Sequence, residues 1–432
     1  MISDHYIQII LHVNPIESLK VNLLILLSYG SRFQHPFLLT IIITRIVNLG
    51  ARHNLKIFVA GTRGIPDIPG GIETHCQDLY PLIAEMGHDV YIATRKPYAL
   101  KRYRKWKKIK LIYLYSPVTK NFEAIFHTFL AVLKAKQLKV DLIHIHAVGP
   151  GLMVPLAKAL GLKVVLTNHG PDYDRQKWGI FAKTILKTGE YLGGKFADSV
   201  IVISSVIQKI VKKRCNKKSY IIYNGVTLPE ISVQCDYLDK INTAPGKYLL
   251  SVARFVPEKG LDLLIKAFKS VNTEYKLIIA GDADHETEYS KQLKHMIDAD
   301  ENIIRTGYIT GDDLRQLFSH ARLFVLPSYH EGLPIALLEA MSYGLSVLVS
   351  DIPANLEIDL PKERFFKCGN ARDLKTKIEG LLQNDISEKE KSENKLQIIQ
   401  KYSWPNIAMQ TVYVYEKTMH SVRYRYSYKR EL

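Results

Sequence analysis

The chain is poor in cysteine. Its four cysteines, Cys76, Cys215, Cys235 and Cys368, are scattered and form no C-x-x-C pair. That pattern argues against a disulfide framework and a cysteine-based zinc site, and it fits a reducing, cytoplasmic compartment. Long apolar runs are missing too. Val21 to Leu27 and Phe37 to Val47 are apolar, but Gly30, Arg32, Gln34, His35 and Pro36 separate them. Neither reaches the roughly 20 residues needed to cross a bilayer. No basic n-region precedes a small-residue cleavage site, which argues against a signal peptide. Residues 1–54 therefore read as an apolar extension: a start placed too far upstream, a poorly packed segment, or a membrane-associating hairpin. The glycine-rich turn after the first clear strand is not G-x-G-x-x-G, which disfavours a dinucleotide dehydrogenase. Acidic residues are outnumbered 42 to 59 by Lys and Arg, for a net charge of +17. An excess of that size points to an anionic partner: nucleic acid, anionic lipid or a phosphorylated ligand.

What the chain does have is length and alternating β and α patterns. Its 432 residues suffice for two α/β domains of about 200 residues each. A hydrophobic fraction of 47% and a charged fraction of 23% describe a globular protein. Short apolar strands (Lys56–Ala60, His88–Thr94, Lys110–Tyr115, Val140–His146, Lys163–Thr167, Val200–Ser204) alternate with helical patterns and define a first domain over residues 55–226. Residues 227–246 are polar, contain Pro229 and Pro245, and read as a linker. A second α/β domain follows over 247–400. A closing helix and a basic, tyrosine-rich tail occupy 401–432.

The most informative stretch is Leu323 to Asp351. An apolar strand, Leu323–Leu326, ends at Pro327 and Ser328. Gly332 and Pro334 shape a turn, a helix runs from Ile335 to Tyr343, and a second strand spans Ser346–Val349. In such a unit of a parallel sheet, ligands sit at the carboxyl ends of the strands. Glu331 lies in the loop and Glu339 eight positions on, inside the helix. Backbone amides of the first helical turn, with the positive end of the helix dipole behind them, offer an anion cradle between two carboxylates. A phosphate suits the amides and sugar hydroxyls suit the carboxylates. Nucleotide sugars combine both.

Other strand ends carry matching chemistry. Arg254 and Lys259 follow the strand Tyr248–Ala253, where two cations can neutralise a diphosphate. Gly70 and Gly71, lacking a Cβ, allow backbone to approach a phosphate closely. His144 and His146 share one face of a strand end, but no third histidine stands near them in the sequence with metal-ligand spacing. Asp172 with Asp174 and Asp282 with Asp284 are two weak D-x-D patterns. The polar loop from Asn168 to Trp178, at a strand end, reads as an acceptor-facing surface. The run from Arg95 to Lys110 concentrates nine cations around Tyr98, Tyr103 and Trp106. Cations beside aromatic rings suit an anionic membrane surface, single-stranded nucleic acid, or simple solvation.

The motifs E331-G-L-P and L338-E-A-M in E-x7-E spacing, together with Arg254 and Lys259, resemble the donor site of retaining glycosyltransferases of family 4. GTRGIP and GGIETH resemble a rhamnosyltransferase-like branch active in bacterial surface polysaccharides, although that branch often has Phe where Ile72 stands. The resemblance covers Lys56 to about Met419. It implies a GT-B architecture, two Rossmann-like domains with parallel sheets facing across a cleft. It implies a hexosyl- or deoxyhexosyltransferase that retains anomeric configuration, with no cofactor and no metal strictly required. By resemblance, Arg254 and Lys259 hold the donor diphosphate, Glu331 positions the sugar and Glu339 the ribose. Gly70, Gly71, Gly332 and Leu333 line the donor, Ile309 packs near the base, and His146 lines the sugar side. The implied partners are a nucleoside-diphosphate sugar, a glycan or lipid-linked acceptor and an anionic membrane touched peripherally, with no nucleic acid. Two rivals share features: a GT-B nucleotide-sugar epimerase, and a non-catalytic nucleic-acid binder, which explains the charge but not the converging site residues.

Overall fold

The computed structural model describes residues 54–420, apart from 69, 100, 102, 118–122, 171–172, 174–178, 284 and 385. The apolar extension, the basic tail, Asp172, Asp174 and Asp284 lie outside the described residues.

Two sheets organise the chain. The first is built from β1 (Lys56–Ala60), β2 (Asp89–Arg95), β3 (Lys105–Trp106), β4 (Ile109–Leu114), β5 (Leu142–His146), β6 (Lys163–Asn168), β7 (Ser199–Val202) and β8 (Tyr220–Ile221), in the order β3-β4-β2-β1-β5-β6-β7-β8. All its pairings are parallel except β3 with β4. The second holds β9 (Tyr248–Val252), β10 (Lys276–Ala280), β11 (Ile303–Gly307), β12 (Leu323–Leu326), β13 (Val347–Ser350) and β14 (Phe365–Phe366), in the order β11-β10-β9-β12-β13-β14 and wholly parallel. The central strands are short, buried apolar runs such as KIFVA or VLVS, and helices cover both faces. Strand order reverses between β1 and β5 in the first sheet and between β9 and β12 in the second. Crevices open at such switch points, beyond the carboxyl ends of the strands.

The stretch after β8 is short of regular structure but not detached. Tyr237 and Leu238, in the helix Asp236–Lys240, are buried, and the Tyr237 amide donates to Gln316 Oε1 at 2.9 Å. The last helix, Trp404–His420, leaves the second domain and packs on the helix Gly71–Glu85 of the first. Trp404 fills the space beside Gly225, where a Cβ would collide with the indole. Glu357, in the second domain, accepts hydrogen bonds from the Ser205 amide (2.7 Å) and the Tyr223 hydroxyl (3.0 Å) of the first.

Candidate functional site

In the second domain, β9 and β12 deliver their loops to one switch point. Arg254 follows β9 and is exposed. A short turn, Pro257–Lys259, then reaches Gly260, whose φ of 62° suits glycine. A Cβ at Gly260 would collide with the Pro327 carbonyl, so glycine is what lets the two loops touch. Their contact creates an ion pair. Lys259 Nζ donates to both oxygens of Glu331, at 2.7 and 2.8 Å, and Ser328 Oγ donates to Glu331 Oε1 at 2.7 Å. The Glu331 side chain is only 8% exposed.

The helix Ile335–Ser342 buries Leu337, Leu338, Ala340 and Met341. Glu339 occupies the remaining face and is half-buried. Burial pushes its carboxyl up to about 7, the response expected of a charge withdrawn from water. Among the described residues no donor reaches its oxygens. Leu333 turns its side chain into the core, and its carbonyl accepts from the Ile335 amide at 3.0 Å, so only its backbone lines the site. A Cβ at Gly332 would lie 3.6 Å from the carbonyl of His169, which brings this loop beside the first domain. Ile309 is half-buried next to exposed Tyr308, just beyond β11.

In the first domain, the glycine loop is held by Glu73. This buried carboxylate accepts from the Arg63 amide (2.9 Å), Thr62 Oγ1 (3.2 Å) and the Arg63 guanidinium (3.3 Å). Gly70, at φ 146°, stands over that pair, and a Cβ there would collide with both side chains. A Cβ at Gly71, by contrast, would meet nothing within 4 Å. Gly70 is thus demanded by the fold, whereas Gly71 faces open space.

Two of the strand-end histidines do different jobs. Tyr80 Oη lies 2.8 Å from His144 Nδ1 and 2.6 Å from His146 Nε2. His144 is tied further to Tyr415 Oη and Thr167 Oγ1, each at 2.7 Å, and belongs to the core. His146 continues outward, its Nδ1 2.9 Å from His169 Nε2. His75, one turn into the glycine-loop helix, places its ring 5.6 Å from that of His146 and 5.0 Å from that of His169. The sequence offered no third histidine near His144 and His146; the parallel order β1-β5-β6 brings in His75 and His169 from either side. Burial holds all four imidazoles neutral: His75 is lowered to about 4 and His144 to about 3, with His146 and His169 also well below the ordinary range.

The polar loop after β6 is anchored by a group the sequence did not single out. Glu190 is 1% exposed and accepts from Asn168 Nδ2 (3.0 Å), the Tyr173 hydroxyl (3.1 Å) and Arg214 Nη1 (2.9 Å). The basic run is also partly structured. Arg95 pairs with Glu123 and Lys110 with Asp89, while Lys96, Lys101, Arg104, Lys105, Lys107 and Lys108 stay exposed. Beside it, Phe126, Phe129 and Leu133 form an exposed apolar stripe on the helix Glu123–Gln137, with Tyr115 packed edge-on to Phe126. No helix among the described residues is long and apolar enough to cross a membrane.

Known proteins share this layout. The Glycosyltransferase Family 4 profile matches residues 69–229 and the profile for glycosyl transferases group 1 matches 239–397, one per domain. An uncharacterized glycosyltransferase of Methanocaldococcus jannaschii is 27% identical over 394 residues, covering 84% of this chain and 99% of that protein. The serotype-specific mannosyltransferase WbdA of Escherichia coli is 30% identical over 175 residues, 38% of this chain and 21% of WbdA. The structure of Anabaena HepE in complex with UDP and glucose superposes with a TM-score of 0.69 at 18% identity, over 84% of this chain and all of that one. The chain therefore belongs to the glycosyltransferases of the GT-B fold, with a Family 4 domain leading and a group 1 domain following.

Proposed function

We propose that this glycosyltransferase moves a hexosyl or deoxyhexosyl unit from a nucleoside-diphosphate sugar to a hydroxyl of a glycan or lipid-linked acceptor, with retention, in the synthesis of a surface polysaccharide. The observation that carries the reading is the meeting of Lys259 and Glu331 at the switch point of the second sheet, with Glu339, which meets no donor among the described residues, in the helix beyond. A cation and two carboxylates so placed match a ligand with a diphosphate at its centre and hydroxyls at both ends. The serotype-specific WbdA and the UDP-bound HepE support the substrate class.

In this reading Arg254 and Lys259 take the diphosphate and stabilise the charge that grows as the bond to the anomeric carbon breaks. Glu331, released in part from Lys259, accepts from sugar hydroxyls. Glu339 accepts from the ribose hydroxyls, which supply the donors its oxygens lack. Gly71 admits the phosphates from the first domain, and His146 lines the sugar side. The base rests near Ile309, and Gly332 and Leu333 present backbone. The acceptor oxygen attacks the anomeric carbon from the face the diphosphate leaves. The departing phosphate oxygen takes the acceptor's proton, so configuration is kept and no protein nucleophile is needed. The chain's own groups suffice for each step, with no cofactor or metal. The exposed cations of the Arg95–Lys110 run and the Phe126-Phe129-Leu133 stripe rest peripherally on an anionic membrane from the cytoplasmic side. Vesicles rich in phosphatidylglycerol should sediment the protein and phosphatidylcholine vesicles should not.

The test of the donor site is thermal stabilisation by UDP, dTDP, GDP and ADP, in native chain, Glu339→Ala and Arg254→Ala. A bound nucleotide at 100 times its Kd stabilises by about 2.7 kcal/mol. One nucleotide stabilising the native chain alone supports the reading; none doing so overturns it.

A further inference from the structure

We propose that His75, His146 and His169 form a binding site for a divalent cation of the zinc class. Their ligating nitrogens all lie within 4.8 Å of one another. They come from three elements: the helix Gly71–Glu85, one turn in, the end of β5 and the loop directly after β6. Tetrahedral zinc with imidazole nitrogens at about 2.0–2.1 Å sets ligand atoms about 3.3–3.4 Å apart, so His146 Nδ1 and His169 Nε2, now 2.9 Å apart, part slightly while any wider pair closes.

Two observations favour a cation over a mere aromatic cluster. First, His75 is 5% exposed, and its Nδ1 meets only Asn224, without a well-aligned hydrogen bond. A buried polar atom so weakly satisfied leaves the ring available to a metal. Second, His146 has the backing that metal-binding histidines characteristically have. Its Nε2 rests on Tyr80 Oη at 2.6 Å, and Tyr80 is fixed in turn against His144. When Nε2–H donates to Tyr80, Nδ1 is left as a lone pair aimed at His169, the tautomer a metal requires. The donor set selects the ion. Three nitrogens suit Zn2+, Co2+ or Ni2+, whereas Mg2+ and Ca2+ take oxygen. Three protein ligands also leave a coordination position open, and the His169 carbonyl already lies against Gly332 of the donor loop.

The experiment uses the full chain without an affinity tag, stripped with chelator and titrated with Zn2+ by calorimetry and with Co2+ by visible absorption. The native chain should take up one equivalent of Zn2+, and X-ray absorption should show nitrogen ligands without sulfur. His75→Ala and His169→Ala should each weaken uptake at least 10-fold, and a hundredfold excess of Mg2+ should not compete. Cys235→Ser serves as control, because Cys235 Sγ lies 3.6 Å from His320 Nε2 and is a rival zinc pair. No stoichiometric uptake, sulfur in the coordination shell, uptake surviving both histidine substitutions, or uptake lost with Cys235→Ser would each overturn the proposal. The spectra of the unaltered chain decide the matter if a variant does not fold. The site shares His146 with the transferase reading, but none of these readouts involves sugar transfer, so a failed metal titration overturns the cation site and leaves that reading untouched.

Discussion

Lys259 Nζ sits between the two carboxylate oxygens of Glu331, 2.7 Å from one and 2.8 Å from the other. The cation assigned to the diphosphate and the carboxylate assigned to the sugar are therefore partners before any substrate arrives. Removing either leaves the other poorly solvated and unpaired. Lys259→Ala and Glu331→Ala should each lower kcat/KM at least ~100-fold, about 2.7 kcal/mol. The double variant should lose far less than the product of the two, since the pair acts as a unit. Steady-state kinetics on all four proteins checks this; additive losses would mean the residues work independently.

Glu339 gives a pH signature. Its folded value of about 7 lies above the ordinary value of roughly 4.3 for an unfolded glutamate. The folded state thus holds this proton more tightly than the unfolded state. Stability from the protonated form is complete below about pH 4.3 and is lost as pH rises to 7, by about 1–3 kcal/mol. Glu339→Gln cannot ionise and should escape that loss. The Tm difference, variant minus native, should therefore grow from pH 4.5 to 7 and then level off. A difference flat across this range would contradict the buried carboxyl.

Gly70 and Gly71 separate fold from ligand. Gly70→Ala meets a left-handed backbone and a collision with Glu73 and Arg63, and should destabilise the chain by several kcal/mol. Gly71→Ala opens the helix in empty space and should change stability by no more than about 0.5 kcal/mol. If a diphosphate approaches there, Gly71→Ala should still weaken nucleotide binding at least ~10-fold, readable by calorimetry. Unchanged binding would remove Gly71 from the donor site.

Glu190 anchors the polar loop through Asn168, Tyr173 and Arg214. Glu190→Ala removes the buried acceptor of Asn168 Nδ2 and the Tyr173 hydroxyl, while the exposed Arg214 turns to water, and should cost about 1–3 kcal/mol in denaturant unfolding. A loss under 1 kcal/mol would show that the loop is held by other contacts.

The strands and the loop that carries Glu331 were legible because their signals are local: apolar runs closed by glycine, and two glutamates eight positions apart. What the sequence concealed was produced by distance. His75 and His169 join His146 only because β1, β5 and β6 are neighbours in the sheet, and no spacing rule encodes that adjacency. The pairing of Lys259 with Glu331 is likewise set by contact between two strand-end loops across Gly260. The hairpin β3-β4 was hidden for a different reason. Its turn residues, Lys107 at φ 43° and Lys108 at φ 65°, are lysines in a conformation usually signalled by Asn-Gly. Inside a run of cations they read as mere charge.

Tyr415 is made 271 residues after the His144 it touches. Ribosomes add about 5–20 residues per second, so the interval is on the order of 15–55 s. In the later part of that interval, once β8 is made, the nascent first domain has all its strands but lacks the helix that seals Tyr80 and His144 from water. The wall of the cleft is finished only once the second domain has been synthesised. Competence for transfer is thus coupled to completion of the polypeptide, and a prematurely terminated chain carries an unfinished first domain.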